Sequence, residues 1–177
     1  MIAPAEKIAE VRAKYGGTIK EILAKEHIYE LHEIVGAIEI LVGSKIVQKM
    51  PTTLSERMIF ALKWLQIEVQ NGGFHQYFFN SAGDFWKDAL EGLIAVGDAH
   101  GLTLFRQTLS IFPDATPSED RFTRQDQLEA LEEQDEDGLW KHFSCVTDEY
   151  FKTPFPNREM IYDYVKKHQE DFDLSSG

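Results

Sequence analysis

The chain has 177 residues, of which 43% are hydrophobic and 12% aromatic, and a formal net charge of −12. That length suits one folded domain with a real core, and twelve Phe with three Trp exclude a disordered chain, which lacks the apolar surface to offset its own ordering. The only cysteine, Cys145, excludes an internal disulfide and a cysteine-built zinc cage, as expected of a reducing compartment.

Met1 to Lys14 carries alternating charges and no apolar run of signal-peptide length, and charge interrupts the apolar stretches elsewhere. Neither secretion by that route nor a membrane span is expected, which makes the cytoplasm the expected location. Apolar residues recur at helical spacing in nearly every segment, so the expected fold class is all-α, a single-domain bundle of about seven to nine helices. Residues 1–50 form its N-terminal helices and residues 51–170 its core.

Pro4 is placed to open a first helix carrying Ile8, Val11 and Tyr15, which Gly16 and Gly17 stop. Thr18 and Glu21 have capping-box spacing ahead of a short helix. Ile28, Leu31, Val35, Ile38 and Val42 step by three or four along one face of a long helix ending near Met50 and Pro51. Thr53 and Glu56 make a second capping box, and the helix behind it, residues 54–70, carries Met58, Leu62, Leu65 and Val69 on one side. Phe60, Trp64 and Ile67 occupy its other sides, which predicts burial nearly all round.

Asn71-Gly72-Gly73 ends that helix, and an aromatic turn of Phe74, Tyr77, Phe78 and Phe79 follows. Asp84 is expected to cap a helix with Trp86, Ala89, Leu90, Leu93 and Ile94 inward; Gly101 then punctuates before Leu102, Phe105, Leu109 and Phe112. These two helices are expected to form an antiparallel pair. Residues 113–120 read as a surface loop. Thr123 is expected to cap a helix with a thin apolar stripe, Leu128 and Leu131, and Leu139, Phe143, Val146 and Tyr150 mark another packed face. Pro154 and Pro156 break the chain before Asn157 caps a last helix aligning Ile161, Tyr164, Val165 and His168.

Charge is unevenly distributed. Residues 1–60 hold eight basic and eight acidic residues, residues 61–110 three and five, and residues 111–177 seven and seventeen. The densest run is Glu119, Asp120, Asp126, Glu129, Glu132, Glu133, Asp135, Glu136 and Asp137, nine carboxylates against Arg121 and Arg124. On a helix, Asp126, Glu129 and Glu133 share a face, with neighbouring Cβ atoms about 5 to 6 Å apart. Such a face repels itself.

The string Asn71-Gly72-Gly73-Phe74-His75-Gln76-Tyr77-Phe78-Phe79-Asn80-Ser81-Ala82-Gly83-Asp84 resembles the signature of a bacterial family of domains of unknown function whose best-known member is a DNA-mimic protein. The likeness is to that protein's C-terminal domain and extends in layout from about Thr53 to Val165. It implies that the nine carboxylates compete with DNA for a basic transcription factor or another DNA-binding protein. DNA presents about one negative charge per 1.7 Å of duplex, and its partners answer with Lys and Arg. A mimic also needs a second carboxylate row at duplex-like separation, as a homodimer would supply. Direct binding of nucleic acid or membrane is not expected. An immunity or antitoxin-like neutraliser of a basic partner is a neighbouring reading, and acidity that only confers solubility is the bland one.

Without the family, the motif has a structural explanation: Gly72 and Gly73 permit a tight reversal, Phe74, Tyr77 and Phe78 wedge into the core, and Asn80 or Ser81 caps backbone locally. By the alternative, Asn71, His75, Gln76 and Asn80 surround a pocket for a small polar ligand or an enzymatic site. No glycine-rich phosphate loop, His-Glu-x-x-His pair or Gly-x-Ser-x-Gly elbow is present, so no enzyme, catalytic residue, metal or cofactor is expected. His27 and His32 are five apart, a poor spacing for metal ligation. Asp135-Glu136-Asp137-Gly138 lacks the spaced ligands of a calcium loop. Cys145 lies near His142, but beside the apolar face of its helix, where a cysteine behaves as a small inert hydrophobe.

Overall fold

The computed structural model describes residues 5–172; the expected opening by Pro4 lies outside them. Every regular element among the described residues is helical, so the chain is all-α. The helices are α1 (Ala5–Tyr15), α2 (Ile19–Leu23), α3 (Leu31–Val47), α4 (Leu54–Phe79), α5 (Trp86–Ala95), α6 (Ala99–Leu109), α7 (Arg121–Lys152) and α8 (Arg158–Lys167). Among the described residues no helix is long and apolar enough to cross a membrane. The chain forms two compact units, one of residues up to Phe60 together with those from Asn157, the other Ala61–Pro156.

The first unit has an aliphatic core. Ile19, Ile22, Ile34, Val35, Ile38, Val42, Ile59, Ile161 and Val165 are buried together, with α3 packed against both α1 and α8. Its helices begin where sequence chemistry places them. Thr18 Oγ1 accepts from the Glu21 amide at 3.2 Å, and Glu21 Oε2 accepts from the Thr18 and Gly17 amides at 3.1 and 2.7 Å. Thr53 and Glu56 repeat the arrangement, and the fully buried Glu56 is also paired with Lys45. Asn157 Oδ1 caps α8 by accepting from the Met160 amide at 2.8 Å. Ile28 departs from expectation: it is 72% exposed, because α3 starts only at Leu31 behind Glu30. Ile34, Ala37 and Leu41 complete the face instead.

The second unit has an aromatic core. Phe74, Tyr77, Phe78, Phe105, Phe112, Phe143, Tyr150 and Phe155 are buried in one cluster with Leu62, Leu65, Val69 and Leu93, and Phe78 lies within about 6 Å of four other aromatic rings. α5 packs on α6, and α6 on α7. Several local expectations are corrected here. The aromatic segment is a helical continuation of α4 beyond a break rather than a turn. Asp84 does not cap α5, whose N-cap is Phe85; it lies in a short 3-10 segment, Ser81–Phe85, and serves another role. Gly101 is inside α6, whose true cap is Asp98, accepting from the Gly101 amide at 2.7 Å. Gly97, at φ +78°, makes the turn instead. Ile94 is exposed, and Phe60, Trp64 and Ile67 are only partly buried.

Candidate functional site

The break in α4 gives the glycine motif its physical meaning. Gly73 has φ +76° and ψ −175°, a region open essentially to glycine alone. A Cβ there would also stand 2.8 Å from Thr147 Oγ1. That hydroxyl accepts from the Phe74 amide at 3.2 Å, so α7 caps the resumed helix across the break. Gly72 needs no special conformation, at φ −165°; a Cβ on it would meet the end of the flexible Gln76 side chain. Gln76 Nε2 and Asn80 Nδ2 both donate to one oxygen of Glu68, at 2.7 and 2.8 Å. The two polar motif residues are thereby tied to the helix before the break. The polar pocket expected around Asn71, His75, Gln76 and Asn80 does not assemble as a set.

The second half of the motif is organised by Arg124, which sequence reasoning counted only as a charge. Its side chain is completely buried. Nε donates to Phe78 O at 2.6 Å, one terminal nitrogen to Ser118 O at 2.6 Å, and the other to Asn80 O at 2.8 Å and Asp84 Oδ1 at 2.7 Å. A buried guanidinium is tolerable because its donors are satisfied and its charge is matched. Gly83 lies directly under it: a Cβ would be 2.7 Å from Arg124 Nε. Gly83 and Asp84 thus serve as seat and counterion for an arginine forty residues on. Gln125 Nε2 adds a bond to Phe79 O at 2.8 Å, so the carbonyls ending α4 are capped from α7. One sequence signal pointed there: Arg124 steps by four and seven residues onto Leu128 and Leu131, the thin apolar stripe.

Turning Arg124 inward changes the surface of α7. The nine carboxylates now face only Arg121 as a nearby surface cation within the stretch. Their placements differ. Glu119 is paired with Lys87. Asp120, rather than Thr123, caps α7, accepting from the Thr123 amide and hydroxyl, each at 2.9 Å. The Thr123 amide, then its hydroxyl, hold the Asp120 carboxyl below the usual carboxylate range. Glu132 is half-exposed and 3.4 Å from His75 Nε2. Asp135 leaves helical geometry at φ −160°, ψ 81°, and accepts from the Gly138 amide at 3.0 Å. It thus breaks α7 and caps its continuation. Asp126, Glu129, Glu133, Glu136 and Asp137 are exposed.

Beyond Asp135, α7 packs Leu139, Phe143, Val146 and Tyr150 inward, as expected. Its outer stripe, Trp140, Ser144, Thr147 and Phe151, borders an open cleft of about 260 Å³ whose other wall is the chain from Gln70 to His75. Trp140 is 43% and Phe151 52% exposed. The His75 ring lies 4.3 Å from Trp140 and edge-on to Phe143 at 5.7 Å. Burial lowers the His75 pKa, against the opposing pull of Glu132. Cys145 is exposed, which corrects the expectation of a buried thiol; His142 instead bonds Gln107 O at 2.9 Å. Among the described residues no group of His, Cys, Asp and Glu is arranged to hold a metal ion.

No curated protein and no solved structure matches the chain. A family model described as DMP19-like protein matches residues 51–168. That span covers more than half of the chain and includes both the broken helix and the arginine that anchors it, and on that match the chain belongs to the DMP19-like protein family.

Proposed function

We propose that this chain is an acidic protein-binding module that occupies the DNA-binding surface of a basic protein, acting as a DNA mimic. The observation that supports this most directly is the outward face of α7. Asp126, Glu129 and Glu133 lie exposed along one side over about 10 Å of helix. Glu136 and Asp137 extend the exposed acid past the break. A solvated helix needs polarity but not uniform sign, and like charges three and four apart oppose the fold. A face held against that repulsion, on a helix fixed by a buried arginine, suits recognition of Lys and Arg. The partner's identity is open to any protein whose basic surface otherwise holds phosphates, and neutralisation of a basic toxin is the same chemistry with a different owner.

The test is capture of partners from the native cell lysate at low and high salt, followed by elution with duplex DNA. A basic DNA-binding protein released by both treatments is expected. The variant combining Asp126→Asn, Glu129→Gln, Glu132→Gln and Glu133→Gln is expected to lose it. Retention by that variant, or indifference to salt and DNA, would remove α7's acidic face as the site.

A further inference from the structure

We propose that the cleft between residues 70–75 and the outer stripe of α7 is a guanidinium-binding site that holds one arginine side chain of a protein partner. Three observations carry this. The walls are aromatic and open: Trp140 and Phe151 expose much of their rings at the two ends of a single helix stripe, with Ser144 and Thr147 between them. Both rings border the same concave surface and offer it aromatic faces. The charge is one-sided: no Lys or Arg lines the cleft, Asp148 does, and burial disfavours the charged form of His75. Two lysines flank the lining on α7: Lys152 is engaged with Glu149 at 2.7 Å, and Lys141 is exposed beside Trp140 but is not part of the lining. Within the lining an anion therefore finds no Lys or Arg, whereas a cation finds a carboxylate and ring faces.

The size is the third. At about 260 Å³ the cleft falls below the usual range for whole small-molecule ligands, about 300–1,000 Å³, and suits one protruding side chain. Between arginine and lysine, the geometry favours arginine. A planar guanidinium stacks on an aromatic face while its edge donates to a carboxylate and a hydroxyl, which a strongly hydrated ammonium does less well. The assignment rests on the proposed function only for the source of the arginine; the cleft's own preference is measurable without any partner.

The experiment is an NMR titration of the full chain with Nα-acetyl-L-arginine methylamide, run beside the citrulline analogue, which keeps the shape and lacks the charge, and the lysine analogue. Saturable shifts are expected at the Trp140 indole and the Gly72, Gly73 and Thr147 amides, with affinity in the millimolar range. Trp140→Ala and Asp148→Asn, both at exposed side chains, are expected to fold normally and to weaken binding about fivefold or more. The combined Asp126→Asn, Glu129→Gln and Glu133→Gln variant is expected to bind the probe unchanged, which separates this site from the acidic face. Absence of saturable shifts, equal binding of citrulline or lysine, or shifts centred on residues 126–133 would each overturn the assignment.

Discussion

The two parts of α7, on either side of Asp135, stay attached to their unit in opposite ways. Residues 136–152 bury Leu139, Phe143, Val146 and Tyr150, an attachment that is apolar and spread over several side chains. Residues 121–134 bury only Arg124 and Leu128. There the attachment is polar and directional: one guanidinium closes the end of α4 and pairs with Asp84. The difference teaches how a helix can carry a dense acidic surface. A wide apolar stripe would leave less room for outward carboxylates, whereas a single inward cation anchors the helix and removes its own charge from the face.

The sharpest way to break this contrast is to replace the anchor. Arg124→Met fills similar space but leaves Asp84 and the Phe78, Asn80 and Ser118 carbonyls without their donor. It is expected to lower stability by about 3–5 kcal/mol, the range for removing one member of a buried pair, read from urea unfolding. Arg124→Lys keeps the charge and cannot reach the same acceptors together, so it is expected to fall nearly as far. A near-neutral lysine variant would mean that charge, not directional bonding, holds the first part. For the second part, Phe143→Ala is expected to cost a similar amount by opening a cavity.

A smaller effect is expected at the break itself. Gly73→Ala places a side chain in a region that only glycine occupies readily and against Thr147 Oγ1; a loss of about 1–3 kcal/mol is expected in thermal melts. Gly72→Ala is expected to cost less, because the position needs no left-handed conformation and the main clash is with the Gln76 amide, which would have to give up its bond to Glu68. Equal losses would show that the break depends on both glycines and not on the conformation of one.

These positions also mark where the sequence was legible. Capping boxes at Thr18 and Thr53 and the cap at Asn157 form as spaced, because a cap needs only neighbours three residues away. The face of residues 139, 143, 146 and 150 was likewise local. Asp84, Gly83 and Thr147 were not legible, since their partners lie tens of residues distant, and Asp84 looked like a cap only while Arg124 was unknown to it. Cys145 was misplaced by one helical position: it follows the cleft-facing Ser144 and precedes the buried Val146, where a 100° step decides burial. Glu68, which takes Gln76 and Asn80, carried no signal in a single sequence.

Weaker still is the pH dependence at the junction of the two parts, where His75 meets Trp140 and Glu132. Burial lowers the pKa of the folded ring, so the unfolded chain takes up the proton more readily. The contribution to stability is therefore present above about pH 6.5 and declines as pH falls toward the folded value. NMR titration is expected to place His75 below the usual histidine value. Glu132→Gln is expected to move it further down, since the carboxylate favours the charged ring. A midpoint above the usual value would mean that Glu132, not burial, governs the ring.

The smallest expected effect has the opposite sign to the others. Asp126→Asn, Glu129→Gln and Glu133→Gln together remove repulsion among exposed carboxylates while touching neither Arg124 nor the capping role of Asp120. The melting midpoint is expected to rise by no more than about a degree or two at low salt, with the gain fading as salt screens the parent chain. The same variant is expected to lose the basic partner. Stability gained where binding is lost is the signature of a surface kept for recognition. If the midpoint fell instead, these carboxylates would be making favourable contacts within the fold, and the first part of α7 would be held by its surface as well as by Arg124 and Leu128.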